Sequence, residues 1–200
     1  SEGVSSQQIL NFLDAAAKSN HEVHSMMIVR HGKVVAEGWW NPYRPDLKHT
    51  MYSVSKSFAA TAIGFAVAEK KLSVEDKVIS FFPDDLPSNI DANLAALRIK
   101  HLLSMSVGQE PAPSGRVRNT DNWIKAFLGT PIIHEPGTKF LYNSEATYML
   151  SAIVQKVTGQ KTIDYLKPRL FEPLGIKGID WEVDPRDINV GGWGLRLKTE

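Results

Sequence analysis

The feature that most constrains the fold is the run Phe58-Ala-Ala-Thr-Ala-Ile-Gly-Phe-Ala-Val-Ala68, which contains no charge. It is too short to cross a bilayer, which takes about 20 apolar residues. A helix that is apolar on every side must instead be surrounded by protein. The pattern predicts a buried helix over about 53–71, with the rest of the chain packed around it. With 200 residues and 42% apolar content, the chain suits one ordinary domain, or one compact domain carrying an inserted subdomain.

Periodicity supplies the other elements. Leu10, Leu13 and Ala17 share a stripe, predicting a helix over 9–17. Two β-rich runs flank His31-Gly32, where Gly32 can take the positive φ of a tight turn, so residues 24–40 read as a β-hairpin. A loop follows over 41–49. Short helices are expected over 76–82, stopped by Pro83, and over 99–106, ended by Gly108, while the Pro and Gly content of 110–119 reads as loop. Ala146, Met149, Leu150, Ile153 and Val157 place a helix over 143–158, with Gly159 as its stop and Thr162 as the N-cap of a further helix towards Leu170. Strand signals return near 179–182 and 192–197. A hairpin at one end, strands at the other and helices between them predict an α+β fold whose sheet is split by a helical insertion over 53–176. Leu197-Lys-Thr-Glu200 reads as a last strand residue followed by a helix start at Thr199, so a further C-terminal part is expected.

Composition removes several function classes. A net charge of +1 with 22% charged residues gives no electrostatic footprint for nucleic acid or an anionic membrane. The absence of cysteine excludes disulfides, thiol nucleophiles and thiolate metal sites. His21 and His24 are three apart but have no evident third ligand, so no metal is expected. Gly191-Gly-Trp-Gly194 lacks the Lys or Ser/Thr of a phosphate loop and reads as a place where backbone passes close to the helix of the site. No Gly-x-Ser-x-Gly elbow occurs, which argues against an α/β-hydrolase. The chain starts at Ser1 with a polar segment and no leader pattern; a periplasmic or secreted location is expected if a leader has been removed, and a cytoplasmic one otherwise.

The chemistry concentrates at Met51-Tyr-Ser-Val-Ser-Lys56, where the buried helix should begin. Three residues along a helix bring two side chains to one face, with Cβ atoms about 5–6 Å apart. Lys56 can therefore reach the Ser53 hydroxyl. Serine is a poor nucleophile without a base. A lysine serves as that base when burial or a positive potential, such as a helix N-terminus, depresses its pKa. A Ser-x-x-Lys nevertheless arises by chance about once in a chain of this length.

Further stretches raise the pair above chance. Asp76-Lys-Val-Ile-Ser-Phe-Phe-Pro83, Ile99-Lys-His-Leu-Leu-Ser-Met-Ser-Val-Gly108, Pro136-Gly-Thr-Lys-Phe-Leu-Tyr-Asn-Ser144 and Leu170-Phe-Glu-Pro-Leu-Gly-Ile176 follow in order. Together with Ser-x-x-Lys, a known signature of β-lactamases and penicillin-binding proteins, they resemble the serine β-lactamase/penicillin-binding-protein superfamily. The likeness is to the class C β-lactamase, esterase, D-alanyl-D-alanine carboxypeptidase and 6-aminohexanoate-oligomer hydrolase branch, and covers about residues 25–200. It implies an α+β, β-lactamase/transpeptidase-like fold, with an antiparallel sheet flanked by helices and a helical subdomain, of which these 200 residues form the N-terminal portion. It also implies an acyl-enzyme on Ser53, deprotonation by Lys56 and proton relay by Tyr142, acting on a small ester, amide or lactam.

Where the superfamily usually has Asn, a ligand for the acyl side chain, this chain has Ser144, with Asn143 one place early. A hydroxyl reaches less far than an amide, which weighs against recognition of a lactam side chain. Tyr52, Gln109 and Trp193 are further candidates for binding substrate, and Trp123 borders the expected pocket. No cofactor is implied; the expected partner is a small-molecule substrate, with no nucleic acid and no membrane span. The superfamily's Lys-Thr-Gly or His-x-Gly strand, which carries the second oxyanion donor, is expected after residue 200. Loss of one such donor typically costs about 10²–10³ in rate, so these 200 residues alone are expected to be inactive. The alternative reading is a weakly catalytic penicillin-binding or sensor protein on the same scaffold.

Overall fold

The His31-Gly32 turn forms as its sequence predicts, with φ of 51° and 74°. It joins β1 (Ser25–Arg30) and β2 (Lys33–Trp39) in an antiparallel pair whose register slips by one residue between Ile28 and Val29. The computed structural model describes residues 2–199. The chain divides into two compact units, one running through His49 and taking in the chain from Leu197 on, the other spanning Thr50–Arg196. Within the first unit, α1 (Ser6–Lys18) is capped by Ser5, whose hydroxyl accepts from the Gln8 N–H, and it covers the predicted 9–17. Thr199 accepts from the Trp39 indole and donates to the Ser25 hydroxyl. The helix start expected at 199–200 extends onto Glu200 and so lies outside the described residues. His24 stacks on Tyr43 at 3.8 Å and lies 5.9 Å from the His49 ring.

Along the chain, β3 (His49–Thr50) leads into the second unit, which is built on two helices. The charge-free run forms α2 (Ser55–Ala68), with Ala59, Ala62, Ile63 and Ala66 almost wholly buried. The predicted helix over 53–71 is shorter at both ends, because Tyr52–Val54 winds as a 3₁₀ turn and the chain leaves the helix after Ala68. The connection to the next helices runs through 3₁₀ turns at Val78–Phe81 and Pro83–Asp85, which correct the helix expected over 76–82; Pro83 opens the second turn rather than only ending the first. Then come α3 (Ala92–Ala96), α4 (Ile99–Leu103), α5 (Ser114–Arg118) and α6 (Trp123–Leu128). Helix α4 stops three residues earlier than predicted, where Met105 turns to a φ of 52°. Helix α5 corrects the loop read over 110–119: its N–H groups bond back to Pro113, a residue read there only as a breaker.

Helix α7 (Ser144–Thr158) forms as predicted. Asn143 caps its start, Gly159 ends it at a φ of 71°, and it packs against α2, α4 and the short helices. In α8 (Thr162–Leu166) the expected cap is displaced. Thr162 lies inside the helix with its hydroxyl buried and unpartnered among the described residues, and Asn189 supplies the oxygen that accepts the Ile163 N–H at 3.0 Å. A π-turn over Lys167–Phe171 continues the chain around Pro168, so α8 ends before the predicted Leu170. Finally β4 (Asp180–Trp181) pairs antiparallel with β5 (Leu195–Leu197) through Asp180–Arg196 and Trp181–Leu195.

The segment between these strands is pressed onto α7. A Cβ at Gly191 would lie 2.5 Å from the Thr147 carbonyl oxygen, and one at Gly192 would lie 2.6 Å from that of Ser144. Only glycine permits such an approach. The close passage expected of 191–194 against the Ser53 helix is instead made along α7. Gly191→Ala is expected to destabilise the protein by about 1–3 kcal/mol, read as a lower urea midpoint with an unchanged slope.

Candidate active site

Ser53 lies in the tight turn before α2. Tyr52, preceding it, has a left-handed φ of 43° and is 72% exposed. A non-glycine residue in that region costs about 1–3 kcal/mol and persists only where its surroundings enforce it. The enforcing group is Ser55, whose fully buried hydroxyl donates to the Tyr52 carbonyl at 2.6 Å and accepts the Leu195 N–H at 3.3 Å. The Leu195 carbonyl in turn accepts the Met51 N–H at 2.8 Å. One residue of β5 thus holds the turn from both sides, leaving Ser53 exposed at its tip.

Lys56, the second residue of α2 and half-buried, places Nζ 3.1 Å from Ser53 Oγ and 2.6 Å from the Gly192 carbonyl oxygen. Tyr142 arrives from a segment 89 residues away and donates to Ser53 Oγ at 2.6 Å. Lys56 Nζ lies 4.8 Å from the Tyr142 ring centroid. Lys56 and the Ser53 hydroxyl both favour the phenolate and hold Tyr142 below the ordinary tyrosine range, with a smaller contribution from Ser144; partial burial opposes them. The Ser53 oxygen therefore meets two groups that can exchange protons with it, in an open setting that a substrate can reach.

The structure brings together Ser53, Lys56, Tyr142 and Ser144. Ser144 is half-buried, next to Tyr142 and against Gly192. Asn143 and Gln109 lie elsewhere. Asn143 is buried; its oxygen accepts the Ala146 N–H at 3.0 Å and its amide donates to Gln109 Oε1 at 3.0 Å. Gln109 is 2% exposed and donates to the Phe127 carbonyl. Together they fix the chain where Tyr142 enters α7. Trp193 is half-buried, with the Arg118 guanidinium 3.9 Å from its ring centroid and Trp123 at 5.9 Å. Sequence reasoning missed Ser55, although the second serine of Ser-Val-Ser-Lys was in plain view. It also missed the Gly192 carbonyl, because no side-chain pattern marks a backbone acceptor 136 residues away. Among the described residues no cluster of three metal-binding side chains occurs.

A serine thus stands in the turn at the head of a buried helix, with a lysine three residues on and a tyrosine from the segment leading into a second helix. The β-lactamase family model matches residues 14–197, and the chain belongs to that family. A D-alanyl-D-alanine carboxypeptidase, so named, of Escherichia coli (strain K12) is 29% identical over 142 residues, covering 64% of this chain and 33% of its own. The structure of a protein described as a 6-aminohexanoate-dimer hydrolase from Bacillus anthracis superposes with a TM-score of 0.75 at 18% identity, covering 98% of this chain and 54% of that one. EstCE1, described as a hydrolase with promiscuous acyltransferase activity, superposes with a TM-score of 0.78 at 18% identity, covering 96% and 68%. The fold is β-lactamase-like, with small antiparallel sheets and many helices, and the chain spans about a third of the length of the curated relatives it matches.

Two outcomes are expected from this geometry. Ser55→Ala should cost about 1–3 kcal/mol in urea unfolding, because it strips a partner from the buried Leu195 N–H and from the partly buried Tyr52 carbonyl. Lys56→Ala should move the Tyr142 titration upwards, towards that of an ordinary tyrosine, in phenolate absorbance measured against a Tyr142→Phe control.

Proposed function

We propose that the protein carrying this chain is a serine acyl hydrolase acting on a small ester or amide through an acyl-enzyme on Ser53, without metal or organic cofactor. One observation carries the reading: a single hydroxyl oxygen, Ser53 Oγ, lies within hydrogen-bond reach of both Lys56 Nζ and Tyr142 Oη, at 3.1 and 2.6 Å. Lys56 takes the serine proton as Oγ attacks the acyl carbon, and the tetrahedral oxyanion forms at the positive end of α2. Tyr142 delivers a proton to the leaving alcohol or amine, then takes one from the attacking water, while Lys56 returns the serine proton to Ser53 Oγ as the acid leaves. Lys56 beside the ring favours the phenolate that this second step requires.

Tyr52, Ser144 and Trp193 are proposed to border the reacting oxygen and contact substrate. Gln109 and Asn143 contribute by holding the Tyr142 segment in place. A hydroxyl at Ser144, where an amide would bind a lactam side chain, favours esters and simple amides over lactams. The names of similar proteins support this substrate range: one is a carboxypeptidase, one a 6-aminohexanoate-dimer hydrolase and one a hydrolase with acyltransferase activity.

Turnover of p-nitrophenyl acyl esters tests the reading. Ser53→Ala is expected to lower kcat/KM by at least about a thousandfold, and Tyr142→Phe by about 10²–10⁴. A fluorophosphonate should add to Ser53 in intact-mass spectra, and with ester substrate the adduct should clear. Undiminished hydrolysis by Ser53→Ala would sink the proposal, and an ester adduct that never clears would replace it with an acyl-binding sensor.

A further inference from the structure

Resting on that reading, we propose that Arg118 is a positioning residue for the reaction: clamped by the buried Glu145, it braces Trp193 and so fixes the Gly192 carbonyl that holds Lys56. Glu145 is fully buried in the first turn of α7, three residues after Tyr142. It accepts from Arg118 Nε at 2.9 Å and from the Ser114 hydroxyl at 3.0 Å. Both donors belong to α5, a five-residue helix too short to hold its shape without outside contacts. Taking a carboxylate out of water is costly, and replacing such a pair by apolar groups is often neutral or stabilising. The pair is therefore weak evidence for stability, and its geometry points elsewhere.

With Nε fixed, the guanidinium lies 3.9 Å from the centre of the Trp193 ring, and the Trp123 ring lies 5.9 Å from it. Gly191 and Gly192 have no side chains, so Trp193 is the first residue after them whose side chain can anchor the segment. The Trp193 N–H, which donates to the Val190 carbonyl at 3.1 Å, and the Gly192 C=O belong to one planar peptide unit. A tilt of Trp193 rotates that plane and with it the oxygen 2.6 Å from Lys56 Nζ. The chain of contacts runs from Glu145 through Arg118, Trp193 and Gly192 to Lys56. A misplacement of about 1 Å at a reacting group can cost about 10²-fold in rate.

The test compares Arg118→Lys, Arg118→Ala and Glu145→Gln with the parent protein. Lysine keeps the positive charge but loses the planar fork that bonds Glu145 and stacks on tryptophan together. Ester hydrolysis should show kcat lowered about tenfold or more in all three variants, with KM within about threefold, and no rescue by Arg118→Lys. The Arg118→Ala/Glu145→Gln double variant should be no worse than the single ones, since both act through one contact.

A second readout needs no turnover. Tyr142 faces Lys56 and the hydroxyls of Ser53 and Ser144, with the Arg118–Glu145 pair on the adjoining helices. If Lys56 loses its anchor, the phenol titration rises in Arg118→Lys although the net charge is unchanged. A rise in KM alone, rescued by lysine, would make Arg118 a substrate-binding residue and overturn the proposal, as would an unmoved Tyr142 titration in folded Arg118→Lys. If Ser53→Ala still hydrolyses the ester, the reading of the site fails, while the titration still decides whether the brace exists.

Discussion

The site depends on what one backbone residue of β5 does for a turn 140 positions earlier. The Leu195 N–H is taken by the Ser55 hydroxyl and its carbonyl takes the Met51 N–H. Between these two bonds Tyr52 is forced into a left-handed conformation, and Ser53 projects. A strained, exposed turn would otherwise relax into the helix that follows it. Each bond is modest, about 0.5–1.5 kcal/mol net. They act together because both partners on β5 are groups of the same residue.

Helix α7 organises the other half. Its first turn brings in Tyr142 ahead of the cap, Asn143 as the cap, Ser144 against Gly192, and Glu145 buried beneath α5. Four adjacent residues thus face four different environments, as the start of a helix allows, since its first N–H groups must find partners outside the helix. The two glycines of 191–192 are the complement of this turn: with any side chain there, the carbonyl that meets Lys56 could not approach.

Much of this was legible in the sequence, for physical reasons that differ by element. The hairpin and α7 are strong periodic signals with a turn or stop glycine in the right place, and α2 is a charge-free run; the first two form where expected and α2 forms shorter at both ends. Helix α5 was hidden because Pro113 and Gly115 speak against a helix, whereas the contacts that fix its shape, from Ser114 and Arg118, go to Glu145 in a distant part of the sequence. The Thr162 cap failed for the same kind of reason, with Asn189 reaching across to do the task. Ser53, Lys56 and Tyr142 were readable as a side-chain pattern. Gln109 and Asn143 were readable only as polar residues near that pattern, and their burial could not be seen from spacing. The Leu195 and Gly192 backbone contacts leave no trace in side-chain identity.

The dependence of Ser53 on Leu195 also orders events in time. Chains are made from the N-terminus at about 5–20 residues per second, so Ser53 emerges on the order of ten seconds before the strand that shapes its turn. Until β5 docks, Tyr52 is free to relax, and Lys56 lacks the carbonyl that aims it. Until then Ser53 is an ordinary serine on an unshaped turn, and its surroundings are made only when that strand arrives.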